Sequence, residues 1–456
     1  MTTTARAAEV VVEMWLPRYP AVPLYISGIR RLAASFQELH PEYVINVRES
    51  SYKTLPEDVD AASRQGRAPA LVQYFHTSTQ LARDMLTASG APLFTSVHEA
   101  IDGRTEILGH PVVTGDILAT ARAYYSYDGA LMAVPPLIST TLLYANTDLL
   151  QAAGVTRLPQ TWDEVDGACE AVRALPGLTH GITWPNHGWI FQQAVSQSGG
   201  LLADHGNGRR GRAEKMLLDS PEMLAFAGWW RRMHRQGRYL YTGNQAYGQT
   251  VQAAWEDNFT AFAEQKVAFI LSSSVEADWL LQAGRERGFG VAAGRMPYSG
   301  RFPFAGNIVG GDAIWLVDGL EPAVRDGALA FLQYLLTPEH AAERHRDTWF
   351  VPATGAAMKL LTAQGWFQQR PHLAVAVDQL AASDHSAAAL GALIGEFGPI
   401  QGVITLAMHD VLLGQDDPAW RFAAANGEAQ RLLDEYNAQC LGTVPGPRGP
   451  RRFIVD

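Results

Sequence analysis

Small hydroxyls and glycines recur where apolar runs of this chain end. Val267-Ala268-Phe269-Ile270-Leu271 stops at Ser272-Ser273-Ser274, Ile308-Val309 leads into Gly310-Gly311, and Ser139-Thr140 sit inside the long apolar run from Val134 to Asn146. Hydroxyls donate and accept, and glycine lets backbone N–H groups come close, a pairing that suits polyol or phosphate oxygens. Trp184 and Trp189 bracket the turn-rich Pro185-Asn186-His187-Gly188. An indole face suits the apolar face of a sugar ring or a choline-like cation. His76 closes the run Ala68–Phe75, and near its ordinary pKa of about 6.5 an imidazole there can carry charge. Each feature has a plainer reading: a serine turn, two core tryptophans, a hydrogen-bonded core histidine.

Motifs of catalysis are missing. No glycine run precedes Lys53-Thr54, as a phosphate loop requires, and no Gly-x-Ser-x-Gly elbow or His-Glu-x-x-His occurs. After Gly288-Phe289-Gly290 the next glycine is Gly294, one place too far for a dinucleotide fingerprint. His340 and His345 are five apart and do not share a helix face. The expectation is therefore no enzyme, no cofactor and no metal. The competing class is a carbohydrate-active enzyme with a Trp-lined cleft, which needs two carboxylates roughly 5–10 Å apart.

The elements that would carry these residues can be read in order. Val10–Trp15 is a first strand, Ile29, Leu32, Phe36 and Leu39 recur at helical spacing up to Pro41, and Val44–Val47 is the next strand. That βαβ order predicts a parallel sheet, whose carboxyl ends collect ligands. Ala68–Phe75 is a third strand. Val134–Asn146 reads as one buried strand, followed by a short helix that stops at Gly154. Thr161 with Glu164 forms a capping box for the next helix. Ser220-Pro221, Thr337-Pro338 and Asp417-Pro418 open further helices. Val267–Leu271, a stretch after Gly290, and Ile308–Val317 complete the strands.

The chain has 456 residues, too many for one ordinary domain, and is 47% hydrophobic and 18% charged, as packed proteins are. Its net charge of −10 argues against a nucleic-acid partner. No apolar run reaches the roughly 18 residues of a membrane span. Cys169 and Cys440 are open to one bridge or to two separate buried thiols. Ala5-Arg6-Ala7 fits a cleavage remnant, although no signal-peptide hydrophobic region precedes it. From Pro445 the chain is rich in Pro, Gly and Arg and reads as a flexible tail.

One order of segments is more specific than its parts: Val134-Pro135-Pro136, then Ser139-Thr140, Tyr144-Ala145-Asn146, Ala153-Gly154 and Thr161-Trp162-Asp163-Glu164. With Gly188-Trp189, Met296-Pro297-Tyr298, Gly310-Gly311, Pro352-Ala353-Thr354 and Gln364-Gly365-Trp366-Phe367, it resembles the family-1 extracellular solute-binding proteins of ABC importers. Within them it is similar to the glycerol-3-phosphate- and glycerophosphodiester-binding subfamily. The resemblance implies an α/β, two-lobe, type II periplasmic-binding-protein-like fold, each lobe a mixed, mostly parallel sheet flanked by helices, with a ligand cleft at the hinge. It implies lobe one at 10–137 plus 275–317, lobe two at 138–274 plus 318–440, and a tail at 441–456. Crossings would lie near Leu137–Thr140, Ser272–Glu276 and Trp315–Asp318.

The implied function is capture of a small polar ligand by hinge closure and delivery to the transmembrane subunits of an ABC permease. The implied setting is a monomer in the periplasm or at the cell surface. A sugar or oligosaccharide receptor is the alternative. Tyr52, Ser139, Ser273, Gly311 and Trp189 fall on ligand-binding positions of the family. Three positions depart: His76 stands where the family has a Glu that holds ligand hydroxyls, Phe350 where it has a Tyr, and Gln401 or Gly402 where it has an Arg that grips phosphate. Trp15 and Trp184 complete the candidate ligand set.

Overall fold

The structure, a computed structural model, describes residues 9–19, 22–52, 54–244, 251–414 and 416–443. Ala5-Arg6-Ala7 and the segment from Pro445 lie outside the described residues. The apolar runs become the strands of two sheets. In chain order these are β1 (Val10–Arg18), β2 (Tyr43–Ser51), β3 (Leu71–Phe75), β4 (Phe94–Thr95), β5 (Ala133–Ser139), β6 (Thr141–Asn146), β7 (Ile182–Thr183), β8 (Tyr239–Leu240), β9 (Phe269–Ser273), β10 (Val291–Arg295) and β11 (Gly310–Val317). The helices that matter for the site are α1 (Pro23–Leu39), α2 (Trp162–Arg173), α3 (Gly188–Gln197), α4 (Pro221–Arg235), α5 (Pro338–Thr348), α6 (Phe397–His409) and α7 (Pro418–Cys440).

The chain divides into two compact units. One takes the chain up to Ile138, Gly310–Trp366 and the chain from Cys440; the other takes Ser139–Val309 and Phe367–Gln439. The expected boundaries need correcting at two places. Residues 275–309 stay with the second unit, because β10 pairs antiparallel with β6 from Leu142 to Asn146 and the helix Ala277–Arg287 packs on that strand. Residues 318–366 belong to the first, because Pro322–Leu335 packs on β1 and α5 packs on α1. No crossing therefore occurs at Ser272–Glu276.

The first sheet has the order β2-β1-β3-β11-β4, with β5 beside β11. β1 runs parallel to β2 and β3, as the βαβ pattern predicts, and β11 runs antiparallel to β3. Every residue of β11 is buried, Trp315 completely. The second sheet has the order β8-β7-β9-β6-β10, with β6 antiparallel to both neighbours. The run read as one strand is thus two. Its apolar residues are continuous, but at Ser139–Thr140 the chain leaves one sheet for the other, and Thr140 exchanges hydrogen bonds with Ser274 there (2.8 and 3.2 Å).

Helix starts follow their sequence signals. Thr161 accepts from the Glu164 N–H at 3.3 Å, and the Glu164 carboxylate returns to the Gln160 N–H at 2.7 Å. Arg157, Gln160 and Thr161 together hold that carboxylate at a pKa of about 2. Ser220 caps α4 through the Met223 N–H. By length and composition alone Phe397–Gly414 is apolar enough to cross a membrane, beyond what the sequence reading anticipated. It packs against α3, with Ile400, Ile404, Ala407 and Met408 in the core. Cys169 and Cys440 are both buried and no disulfide joins them; burial pushes the Cys169 thiol well up.

Gly311 occupies a position no other residue fits. Its φ is +102°, and a Cβ there would lie 2.1 Å from the Leu137 carbonyl oxygen. Both the left-handed backbone and the contact oppose a side chain. Gly311→Ala should lower stability by about 3 kcal/mol, since the clash is with backbone that cannot rotate away. Urea unfolding followed by tryptophan fluorescence measures it, and an unchanged midpoint would show that the two strands separate at no cost.

Candidate functional site

In the first unit the carboxyl ends of β1, β2 and β3 gather rings. Tyr19 follows β1, Tyr52 follows β2, and Phe75 ends β3. The Tyr19 ring centroid lies 5.6 Å from Tyr52 and 6.5 Å from Phe75, and Phe75 is 4.3 Å from His76. Tyr52 and Phe75 are 36% and 40% exposed, so they form an open aromatic shelf. His76 does not share that exposure. It is buried, with its ring 6.2 Å from that of Tyr124, whose hydroxyl donates to the His76 carbonyl at 3.0 Å.

Beneath the shelf lies a carboxylate that sequence reasoning missed. Asp312, next to Gly311 and opposite Phe75 in the β3–β11 register, is 1% exposed. Its Oδ2 accepts from the Tyr19 hydroxyl at 2.8 Å and from Gln73 Nε2 at 3.0 Å. Gln73 Oε1 in turn accepts from the Tyr25 hydroxyl at 2.5 Å. Burial raises the Asp312 carboxyl to about 6, against the pull of the Gln73 and Tyr19 bonds. One sequence signal was available: Asp312 is the lone charge in the apolar run Ile308–Val317.

The other two candidates of this unit sit differently. Trp15 lies within β1, opposite Arg48 of β2, whose guanidinium covers its ring at 4.2 Å. That cation–π contact occupies a face the ligand would need. Phe350 is nearly buried, and its carbonyl accepts from His345 Nδ1 at 2.7 Å.

In the second unit Thr141 faces Ser273 through the pairing of β6 with β9, and Ser139 lies two residues before Thr141. Ser273 Oγ accepts from the Val275 N–H at 3.4 Å, and its carbonyl accepts from the Tyr144 hydroxyl at 3.0 Å. Trp184 corrects an expectation. It is 0% exposed, stacked at 5° on Trp229 and within 5.0 Å of Trp230 and 4.3 Å of Tyr239. It is core, because just past the end of β7 it lies among the rings of α4 and β8, and it offers no face to a ligand.

Trp189 also packs in the core of this unit but is placed differently. It is the second residue of α3, its N–H donating to the capping His187 Nδ1 at 3.1 Å. It is 8% exposed, and its indole Nε1–H has no partner among the described residues. Gln401 on α6 is similarly placed, nearly buried, with Nε2 also lacking a partner among the described residues. The two helices meet closely: a Cβ on Gly188 would lie 2.6 Å from the Gln401 carbonyl oxygen. Thr405 Oγ1 ties them, accepting from the Gly188 N–H at 3.0 Å and donating to that carbonyl at 2.8 Å. Gln192, which the sequence did not flag, lies three residues along α3 with both amide atoms buried and unbonded among the described residues.

The first unit thus carries exposed ring faces above a buried carboxylate, and the second carries buried amide groups without partners among the described residues. Residues 31–375 match the bacterial extracellular solute-binding protein family, and the chain belongs to it. It is a solute-binding receptor of an ABC importer, the class that binds a small ligand and delivers it to a permease. Its relatives include the sn-glycerol-3-phosphate-binding periplasmic protein UgpB of Salmonella typhimurium (26% identical, 89% of each chain) and that of Yersinia pseudotuberculosis (27%, 85% of this chain and 84% of that one). Among solved structures, UgpB of Mycobacterium tuberculosis in complex with glycerophosphocholine matches with a TM-score of 0.72 at 20% identity, over 93% of this chain and 98% of that one. The cyclic alpha-maltosyl-1,6-maltose binding protein of Arthrobacter globiformis matches at 0.73 and 16%, over 94% and 100%. These likenesses bear out the expected type II fold.

His345 gives the site's frame a pH dependence. It is 2% exposed, its Nε2 accepts from the Trp366 indole N–H at 3.0 Å, and burial depresses its pKa to about 4. The unfolded chain takes up this proton near pH 6.5 and the folded chain does not, so stability is lost as pH falls from about 6.5 towards 4. Denaturant titrations at pH 7 and pH 4.5 should show a loss for the wild type exceeding that of His345→Gln by on the order of 2 kcal/mol. Equal losses would mean that the imidazole titrates normally.

Proposed function

We propose that this chain is a non-enzymatic receptor, working as a monomer in the periplasm or at the cell surface. It captures a small hydroxyl-rich solute, a polyol or sugar, and hands it to the transmembrane subunits of its permease. The observation that carries the ligand class is the aromatic shelf of Tyr19, Tyr52 and Phe75 standing over the buried Asp312 carboxylate. Rings stack on the C–H faces of such a ligand, and the carboxylate accepts from its hydroxyls. The amide of Gln401 offers neutral donors where an Arg would offer a charged fork. Charge-assisted bonds contribute roughly 1.5–3 kcal/mol and neutral ones about 1 kcal/mol, so a phosphate gripped there loses on the order of tenfold in affinity.

A phosphoester, glycerol-3-phosphate or a glycerophosphodiester, is the second reading, supported by a relative named for sn-glycerol-3-phosphate that spans 89% of this chain and by a structural match solved with glycerophosphocholine. Titration calorimetry with maltose, glycerol, glycerol-3-phosphate and glycerophosphocholine separates the two. The first reading expects a neutral ligand to bind best, with little salt dependence, and to be recovered chemically intact. Tight, salt-sensitive binding of a phosphoester alone supports the second, and a cleaved product formed in proportion to protein would sink both. Trp189→Ala should weaken the best ligand by about tenfold, the worth of one stacking contact, while unfolding stays cooperative; a loss of several kcal/mol in stability at unchanged affinity would make Trp189 a packing residue.

A further inference from the structure

We propose that the second unit carries a separate anion site, in the cavity between the helices Ala277–Arg287 and Pro371–Ala381 beside β10, and that it takes a phosphate or carboxylate group of a small organic anion. The inference goes beyond the receptor reading and does not depend on which solute the receptor carries.

The cavity holds about 670 Å³, the size of a small-molecule pocket. It is built wholly from the second unit, and none of the candidate ligand residues lines it. Arg285, Arg370 and His372 line it, with Asp278 as the sole carboxylate among the lining residues. In a chain with 46 acidic and 36 basic residues, two arginines and a histidine against a single acid reverse the prevailing charge. Leu281 and Val375 add apolar wall for the carbon part of a ligand.

Local structure explains why these groups share one cavity. The helix Pro371–Ala381 starts there: Arg370 is its N-cap residue, Pro371 opens it and His372 follows. No side chain caps that start and its first turn holds no acidic residue, so nothing in the turn offsets the positive end of the helix dipole. Arg285 comes from the last turn of the helix Ala277–Arg287, and the two helices pack on β10 and on each other. His372 is 9% exposed, and its Nε2 has no hydrogen-bond partner among the described residues. Asp278 Oδ1 stands 3.6 Å from that nitrogen, beyond hydrogen-bond reach. Burial lowers the His372 pKa, Asp278 opposes this, and Arg370 and Arg285 add to it, so one imidazole feels all three charges. With His372 neutral, Asp278 offsets one guanidinium and leaves one positive charge over. An oxyanion answers that charge, because it only accepts, and guanidinium, imidazole N–H and helix N-terminus all donate.

The test is calorimetry on the full chain with inorganic phosphate, pyrophosphate and citrate. At least one should bind with one site per chain and weaken as salt is raised. Arg285→Gln, at an exposed position, should weaken that anion by about tenfold, the loss of one charge-assisted contact, and leave the receptor's tightest neutral ligand unaffected. Asp278→Asn should tighten the anion severalfold, the sign expected when like charge leaves the cavity. A wild-type chain that binds none of the three anions at millimolar concentration would overturn the site. So would affinities unchanged in both Arg285→Gln and Arg370→Gln, or an Asp278→Asn variant that binds the anion more weakly. An anion that competes with the neutral ligand and survives Arg285→Gln occupies the receptor's own site, which also overturns the assignment. Each of these results leaves the receptor reading standing, because that reading is tested by the neutral ligands.

Discussion

The close passage of Gly311 beneath the Leu137 carbonyl is the constraint on which the first unit depends. β11 must enter the middle of a sheet whose other central strands run the opposite way, with β5 beside it. Only a residue without Cβ admits a neighbouring carbonyl at that distance. Once seated, β11 buries all eight of its residues and delivers Trp315 to the core. It also places Asp312 opposite Phe75, which is how a carboxylate comes to lie under rings contributed by three other strands. The carboxylate is tolerable there because the chain from Tyr25 through Gln73 to Oδ2 is oriented throughout. Gln73 must point its Nε2 at Asp312, since its Oε1 is committed to Tyr25. Bonds linked in this way polarise and stiffen one another.

The second unit solves its positioning problem by the same device. Gly188 lets α3 press against the backbone of α6, and Thr405 joins the two with a bond to each side. The N-terminus of α3 is thereby fixed, and with it Trp189. Five residues earlier Trp184, just past the end of β7, is enclosed between Trp229, Trp230 and Tyr239. The two indoles look alike in the sequence. What separates them is that one follows a buried strand and is wholly enclosed by rings, while the other lies in the first turn of a helix and keeps 8% of its surface exposed.

That contrast shows what could be read from the chain and what could not. Strand and helix existence was legible, because β-branched apolar runs and Thr/Ser caps with Pro or Glu behind them are local signals. The passage from one sheet to the other at Ser139 was not, since burial on both faces makes β5 and β6 one continuous apolar run. The ownership of 318–366 was also hidden: an amphipathic helix such as Pro322–Leu335 advertises an apolar face but not the sheet that will cover it. Tyr52, Ser139, Ser273, Gly311 and Trp189 were proposed by resemblance alone. Tyr19 and Asp312 were not, because what joins them is a bond between strands far apart in sequence.

The charge of the ligand can be argued from these same contacts. Near pH 7 a carboxyl with a pKa of about 6 is mostly ionised. A phosphate brought against it would meet like charge in a poorly solvated place, and the Tyr19 phenol cannot relieve this because its proton is already given to Oδ2. His76, which would supply a positive charge if protonated, is itself enclosed beside Phe75 and Tyr124. A hydroxyl meets none of these costs. On the reading proposed above, the surface that the first unit builds at its strand ends takes the hydroxyl-bearing part of the ligand. A phosphoester, if carried, must present its glycerol to this unit and find its counter-charge elsewhere.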